Sequence, residues 1–456
     1  MAFLLVGQAG AGAGAREGEG RARERGAQLR LASCTVEHFA HFGEGAGGED
    51  ARVLLEHCSL TGARSNAIEL RNPLELVLAS CLLEKGLGKG VSVLFRAQPG
   101  VADNKLERRV ALRDCRVLQN IGAGVSVKRE KQFEQQQQGG GEARSFLRSP
   151  KLQLVEVRRC VIRGNKKEGV ALSGLTMHPR GGRVWLDETQ LAANCESNVW
   201  VQGVRRPFLV DAQPGGDGSQ EEVRSRMCVA VTRCSLTESA GGCGLYCGDT
   251  NVHVANCDLQ RNGGDGMFLS GSREHAAQPF CRVEQCALSF NRASGLAVQE
   301  FKGRLELTDC TLCANAGHGL ALEQDLGAHG PYSKTSGYDN SQLVRSSHAL
   351  AVLALCEISE NARHGVLLKN VELRARDLNV QLNEHYAIYL SHASRKCLRL
   401  RNSDGRAVSG SVGGEWGRWE PPSSEDPASR DPPNKPPKVR RAHTSYRCGC
   451  LGGRAR

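Results

Sequence analysis

Apolar residues alternate with polar ones along most of the chain in runs too short for helices, at the period of two that strands require. In RLELTDCTLCANAGHGLAL, with Cys310 as position zero, apolar side chains stand five and three places before it (Leu305, Leu307). Others follow two, ten and twelve places after it (Leu312, Leu320, Leu322), with Asn315 at plus five and Gly319 at plus nine. The same grid recurs around Cys34, Cys58, Cys81, Cys115, Cys160, Cys234, Cys257, Cys286 and Cys356, and in degenerate form around Thr189 and Leu378. Centres are 24, 23, 34, 45, 29, 45, 23, 29, 24, 46 and 22 residues apart. The surplus residues of the long intervals all fall in one place, after the plus-twelve position; examples are 128–150, 202–227 and 323–347. A short period with insertions confined to one corner defines a solenoid.

Each repeat offers three pairs of apolar positions with period two, separated by turn residues, within about 23 residues. Such a unit predicts one coil of three short strands, and stacking places successive coils about 4.8 Å apart. Gly at plus nine, often with a second at plus seven, is expected to mark tight turns. The grid resembles the right-handed parallel β-helix repeat of the pectin-lyase-like superfamily, and among its members the intracellular β-helix domains of F-box-type receptors and adaptor proteins. The expected fold is therefore all-β, a single-stranded right-handed parallel β-helix of about twelve coils over residues 27–392. A low-complexity segment, 1–26, precedes it, with truncation upstream left open as an alternative. A basic tail rich in Pro and Gly, expected to be disordered, follows over 393–456.

Two columns of the grid carry unusual chemistry. Asn stands at plus five in eight coils: Asn120, Asn165, Asn194, Asn262, Asn291, Asn315, Asn361 and Asn383. A side-chain amide has donors and acceptors for both neighbours, so a stacked hydrogen-bonded ladder is expected. Cys occupies position zero in ten coils, at the centres named above. Replacement by Thr189 and Leu378 suggests a small, mostly apolar filler of an interior corner, with reduced thiols because parallel side chains do not meet disulfide geometry.

Composition narrows the function. The formal net charge is +11, but residues 393–456 alone carry 14 Lys/Arg against six Asp/Glu, which leaves the repeat body close to neutral. No nucleic-acid partner is expected for that body. No apolar run approaches the length that crosses a bilayer, and the first residues, MAFLLVGQAGAGAGA, lack a basic signal-peptide start. The 19 cysteines are thus read as reduced, and the location as intracellular. The basic string KPPKVRR (435–441) would suit a nuclear signal, and EKQFEQQQQGGGEARS (130–145) is low-complexity.

Candidate chemistry is sparse. His318 in the GHG stretch sits at plus eight, a column that also holds Lys89, Ala123, Glu168, Ser197, Asp265, Ser294, His364 and Tyr386. Asp265, Ser294, His318 and His364 together make a possible binding face at one corner of the solenoid. Converging carboxylates of the kind glycoside hydrolysis needs are missing from the grid, and VWLDE (184–188), faintly like a lyase string, places Val184 and Leu186 at inward positions. Cys243 and Cys247 have ligand-like spacing but no second pair nearby, and the terminal CGC (448–450) is a redox or lipidation candidate. These readings predict no catalytic residue, no metal and no cofactor. They favour a non-enzymatic scaffold that binds a protein partner through its long lateral face, with substrate recognition for ubiquitin transfer implied by the F-box resemblance alone. The alternative is a carbohydrate-binding or polysaccharide-degrading β-helix, which aromatic or acidic residues clustered on one strand face would favour.

Overall fold

The computed structural model describes residues 28–38, 51–96, 107–130, 151–179, 181–206, 227–271, 280–301, 303–323, 350–369 and 371–391, with the backbone of 398–401 and 412–415. Every strand pairs in parallel with its counterpart one coil away, and the chain winds through three sheets in turn. Face one holds the strands before position zero, from Gln28–Ala32 to Leu398–Arg401. It has fourteen strands, thirteen in coil order and one, Thr176–Met177, beside the start of Lys151–Arg158. Face two holds three-residue strands just after position zero. It runs as seven strands and then three, joined through single bridges at Asp258 and Ala287. Face three holds twelve strands, from Ile68–Arg71 to Val412–Glu415. The fold is a right-handed parallel β-helix.

The expected inward positions line one continuous core. Leu305, Leu307, Cys310, Leu312, Leu320 and Leu322 are all at most 2% exposed, and the equivalent residues of neighbouring coils pack above and below them. The first coil is the looser end, with Leu29, Leu31, Cys34 and Val36 only partly buried. At the other end the boundary expected at residue 392 falls too early. Leu398–Arg401 and Val412–Glu415 continue faces one and three, because their backbones add in register to Glu372–Arg376 and Ile388–Ser391. The strings at 130–145, 435–441 and 448–450 and the insertions at one corner lie largely or wholly outside the described residues.

The turns are built differently from the expectation. The residue before position zero is left-handed in all twelve coils, with φ between 48° and 55°, and none of the twelve is glycine. A second left-handed residue, at plus four, is glycine only at Gly62 and Gly164. An L-residue in this region costs roughly 1–2 kcal/mol. The cost is offset because such N–H groups, from Ser33 to Glu360, donate to the coil above, as Asp114 does to Arg158 O at 3.0 Å and Gln119 to Arg163 O at 2.9 Å. Gly at plus nine serves another purpose. A Cβ on Gly124 would stand 2.7 Å from Gly169 O and 2.9 Å from the Asn165 amide nitrogen, so the site is glycine through close approach of coils and not through its φ.

The position-zero thiols are more than filler. Cys81 Sγ lies 3.3 Å from Ala79 O and 3.4 Å from Leu55 O, and Cys115, Cys160 and Cys257 repeat the arrangement. The thiol donates to a carbonyl that the left-handed turn leaves facing inward. Thr189 substitutes because its hydroxyl reaches the same two places, Asp187 O at 2.9 Å and Val157 O at 3.2 Å. Burial pushes the Cys58 thiol upward, so it stays protonated and able to donate. All cysteines among the described residues are free.

The plus-five amides form a chain. Asn291 Nδ2 donates to Asn315 Oδ1 at 3.0 Å, the same oxygen accepts the Asn291 backbone N–H at 3.0 Å, and Asn315 repeats both bonds to Asn361. Asn120 to Asn194 and Asn361 to Asn383 do likewise. One coil has Ser239 in place of the amide. There Asn198, in a column that is glycine or alanine in the other described coils, turns inward and bridges the gap. It accepts from Asn194 Nδ2 at 2.8 Å and donates to Asn262 Oδ1 at 3.1 Å. A smaller residue in one coil makes room for a larger one in the coil below.

Two expectations follow for stability. Cys257→Asp is expected to lower stability by several kcal/mol, since a carboxylate there has no cation partner, whereas Cys257→Thr keeps the donor and stays near the parent in thermal melts. Asn198→Gly and Ser239→Asn are each expected to cost about 1–3 kcal/mol, by opening the ladder or by crowding it. The double variant restores the arrangement of the other coils and should recover most of that loss, which a double-mutant cycle in urea measures directly.

Candidate functional site

The plus-eight column stands at the corner between faces two and three. The structure brings Asp265, Ser294, His318 and His364 together in consecutive coils and hydrogen-bonds them in series. Asp265 Oδ1 accepts Ser294 N–H at 2.7 Å, and Ser294 Oγ accepts His318 N–H at 3.3 Å. His318 Nδ1 then accepts His364 N–H, and His364 Nδ1 accepts Tyr386 N–H, both at 3.2 Å. Asn66 to Lys89 and Ser197 to Cys243 follow the same rule. The variability of this column therefore hides a common property. Asn, Ser, Asp and His all offer a short acceptor to the backbone one coil on. The column is not a freely solvated turn, as Ser294 is 7% exposed and burial raises the Asp265 carboxyl above its ordinary range.

The imidazoles also stack. The His318 and His364 rings lie 5.2 Å apart at 16°, and His364 lies 4.5 Å from Tyr389 at 5° and 5.6 Å from Tyr386. Burial, then the nearby His364 and Arg363 charges, depress the His318 imidazole to about 4, and His364 is lowered for the same first reason. Both are neutral at pH 7, as Nδ1 acceptors must be.

Face three carries a feature the sequence reading did not find. The outward position between the two inward ones reads, coil by coil, Trp200, Tyr246, Phe268, Ala297, Ala321, Leu367 and Tyr389. Trp200 and Tyr246 stack with centroids 5.9 Å apart at 15°, and Tyr246 and Phe268 at 5.5 Å and 7°. Lys128 Nζ caps the far side of Trp200 at 5.5 Å. Six coil spacings separate Trp200 from Tyr389, about 29 Å at the spacing of paired strands. With the His318–His364–Tyr386 corner beside its upper end, face three presents the only ring stacks formed by three or more side chains among the described residues. The signal in sequence was faint, because these residues lie 22 to 46 positions apart and only three adjacent coils carry rings in succession.

The remaining candidates separate. Cys243 lies in the corner turn ahead of the strand Leu245–Gly248, whereas Cys247 is a buried inward residue of that strand. No group of three metal-ligating side chains occurs among the described residues. In VWLDE the Asp187 carboxylate is fully buried against Arg233 at 2.7 Å and Arg158 at 3.3 Å, a structural ion pair on face one.

Comparison with known proteins bears on the fold. The family model for the right handed beta helix region matches residues 215–328. No characterised protein matches the sequence significantly. Similar solved structures include the A-module of mannuronan C-5 epimerase AlgE4 from Azotobacter vinelandii. It is 12% identical, with 85% of this chain and 87% of that one covered and a TM-score of 0.48. The AlgE6 A-module from the same organism is 11% identical over 86% and 90%, with a TM-score of 0.43. A periplasmic alginate epimerase is 11% identical over 85% and 73%, with a TM-score of 0.39. These proteins are polysaccharide-modifying enzymes, and with that finding the expectation of a non-enzymatic protein-binding scaffold is corrected. The regular lateral surface on which it rested is shared with enzymes. The finer likeness to F-box-type receptors gains no support. At such identities the likeness concerns the coil stack and transfers no reaction to this chain.

The histidine ladder has a definite pH signature. The folded His318 value, about 4, lies below the ordinary 6.5, so the unfolded chain takes up the proton first as pH falls. The contribution of His318 is fully present above about pH 6.5, is lost as pH drops toward about 4, and changes no further below that; His364 acts in the same direction. Melting temperature is expected to be flat between about pH 7 and 8 and to decline between 6.5 and 4. His318→Asn, which keeps an acceptor as Asn66 does, should flatten part of that decline.

Proposed function

We propose that the chain is a polysaccharide-binding β-helix protein whose saccharide site lies on face three. The observation that carries this reading is the outward aromatic column, Trp200, Tyr246 and Phe268, continued by Leu367 and Tyr389. Large apolar rings on the outside of a strand face contribute nothing to the core within, and they are half-buried there at a cost in exposed apolar surface. Aromatic surfaces flanked by hydroxyl, amide and imidazole groups suit sugars, which present apolar C–H faces and polar edges. His318, Gln299 and Glu323 supply such groups within two coils. The neutral imidazoles donate through Nε2 while Nδ1 is held by the ladder.

Affinity electrophoresis through gels containing neutral or acidic polysaccharides tests the proposal. At least one polymer should retard the protein. Trp200→Ala and Tyr246→Ala should each weaken retention about two- to twelvefold, the worth of one aromatic contact of about 0.5–1.5 kcal/mol, with unchanged circular dichroism. Migration unaffected by every polymer, or equal retention of parent and ring-lacking variants, would defeat the reading.

A further inference from the structure

The position-zero column is a line of soft donors as well as a structural device. Thr189 divides it into two runs of five thiols, Cys34 to Cys160 and Cys234 to Cys356. Within a run, successive side chains leave matching backbone positions, because the strands on either side pair in register, as Ala32 does with Glu56 and Thr35 with Ser59. Thiol meets thiol along the runs: Cys115 contacts Cys81 and Cys160, and Cys257 contacts Cys234 and Cys286. Side chains that leave parallel strands side by side do not close a disulfide, which needs sulfurs about 2.05 Å apart. They do suit an ion that takes two ligands in a straight line. Two thiolate–metal bonds of about 2.3 Å end to end span about 4.6 Å, against a coil spacing of about 4.8 Å. Such an ion lies on the line between the sulfurs and needs no cavity of its own. A single file of donors offers no tetrahedral set, and no group of three ligating side chains occurs among the described residues. Zinc is therefore poorly served, and a soft monovalent ion is well served.

The two runs differ in access. Every thiol of the upper run is at most 3% exposed, and the run is bounded by Thr189 and Leu378, neither of them a soft donor. The lower run begins at Cys34, which is partly exposed in the first described coil. Cys58 stands directly above it. Cys34 Sγ lies 3.3 Å from Ala32 O, and Cys58 Sγ lies 3.3 Å from Glu56 O and 3.7 Å from Leu31 O. Three carbonyl oxygens thus surround this pair and turn partial negative charge toward a cation held between the sulfurs.

We propose that Cys34 and Cys58 hold one soft monovalent ion, Cu(I) or its analogue Ag(I), in linear two-thiolate coordination. Binding releases two protons, one from each thiol, and transfers no electron. The resulting unit carries a single negative charge. That charge is stabilised by water at the partly exposed end of the column, whereas the sealed upper run would hold it unpaired in the core. The site is independent of the saccharide surface on face three.

The test uses the full chain with Cys397, Cys448 and Cys450 replaced by serine, so that no thiol beyond the solenoid competes. This parent is titrated with Cu(I) in the absence of oxygen against a chromophoric Cu(I) chelator, and X-ray absorption reads the metal's ligands. One ion per chain with a shell of two sulfurs is expected, and Cu(I) should raise the melting temperature by mass action. Cys34→Ser should lose both the ion and the rise. Cys58→Thr, which keeps the hydrogen bonds as Thr189 does, should fold like the parent and lose both as well. Cys286→Thr, in the sealed run, should bind Cu(I) as the parent does, and excess Zn(II) should not displace the ion. Parent-like binding by Cys34→Ser or Cys58→Thr overturns the site, as does loss of binding in Cys286→Thr. A shell of three or more sulfurs, displacement by zinc, or failure of the parent to hold Cu(I) against the chelator overturns it equally.

Discussion

Everything in this molecule depends on the distance between one strand and the next. Parallel pairing fixes successive coils at about 4.8 Å, and whatever stands at one position of the repeat must fit its own counterpart above and below. A core position then becomes a column, and the column, not the residue, is the unit of selection. Aliphatic columns bury apolar surface that a lone coil would leave in water, so no coil is stable by itself. Polar columns survive inside only where each member satisfies the next, as the amides of Asn291, Asn315 and Asn361 do.

The same constraint explains how irregularities are absorbed. A serine where the amide ladder needs an asparagine would leave two buried groups unpaired, yet Asn198 supplies the missing amide from the coil below. It can do so because Ser239 vacates the volume that the amide of the next coil fills elsewhere, as where a Cβ on Gly169 would stand 2.8 Å from Asn194 Nδ2. Thr189 takes over the thiol's hydrogen bonds by a similar exchange of chemistry at constant geometry. Leu378 donates nothing, and its turn lies one coil below the last described strands of faces one and three.

Much of this architecture was legible in the sequence because inward columns repeat. Leu305, Leu307, Leu312, Leu320 and Leu322 could be assigned to the interior by spacing alone. The reasons behind other repeats were not legible. Glycine at plus nine looks like a turn residue in one dimension and proves to be a clearance between coils in three. The left-handed turns went unseen because their residues, Asp114, Arg159 and Leu355 among them, have no common side chain. What they share is a backbone hydrogen bond to a partner a full coil away. The end of the solenoid was placed too early because Leu398–Arg401 and Val412–Glu415 follow spacings and lack the cysteine-centred motif of the other coils.

Outward columns obey a weaker rule, and function has room to reside there. An exposed position need only avoid disturbing its neighbours, so it varies from coil to coil and leaves no period to find. The aromatic column shows the consequence. Trp200, Tyr246 and Phe268 are adjacent in space through register alone, standing 46 and 22 positions apart in the chain. The corner ladder lies between the two regimes. Its backbone contacts demand an acceptor in each coil, but Asp265, Ser294, His318 and His364 meet that demand with different groups. A column that is half structural and half exposed holds its side chains in fixed orientation at no extra conformational cost on binding. The rigid ladder at the corner and the ring stack beside it are thus two results of one spacing, the first fixing side chains in place and the second bringing together rings that lie far apart in the chain.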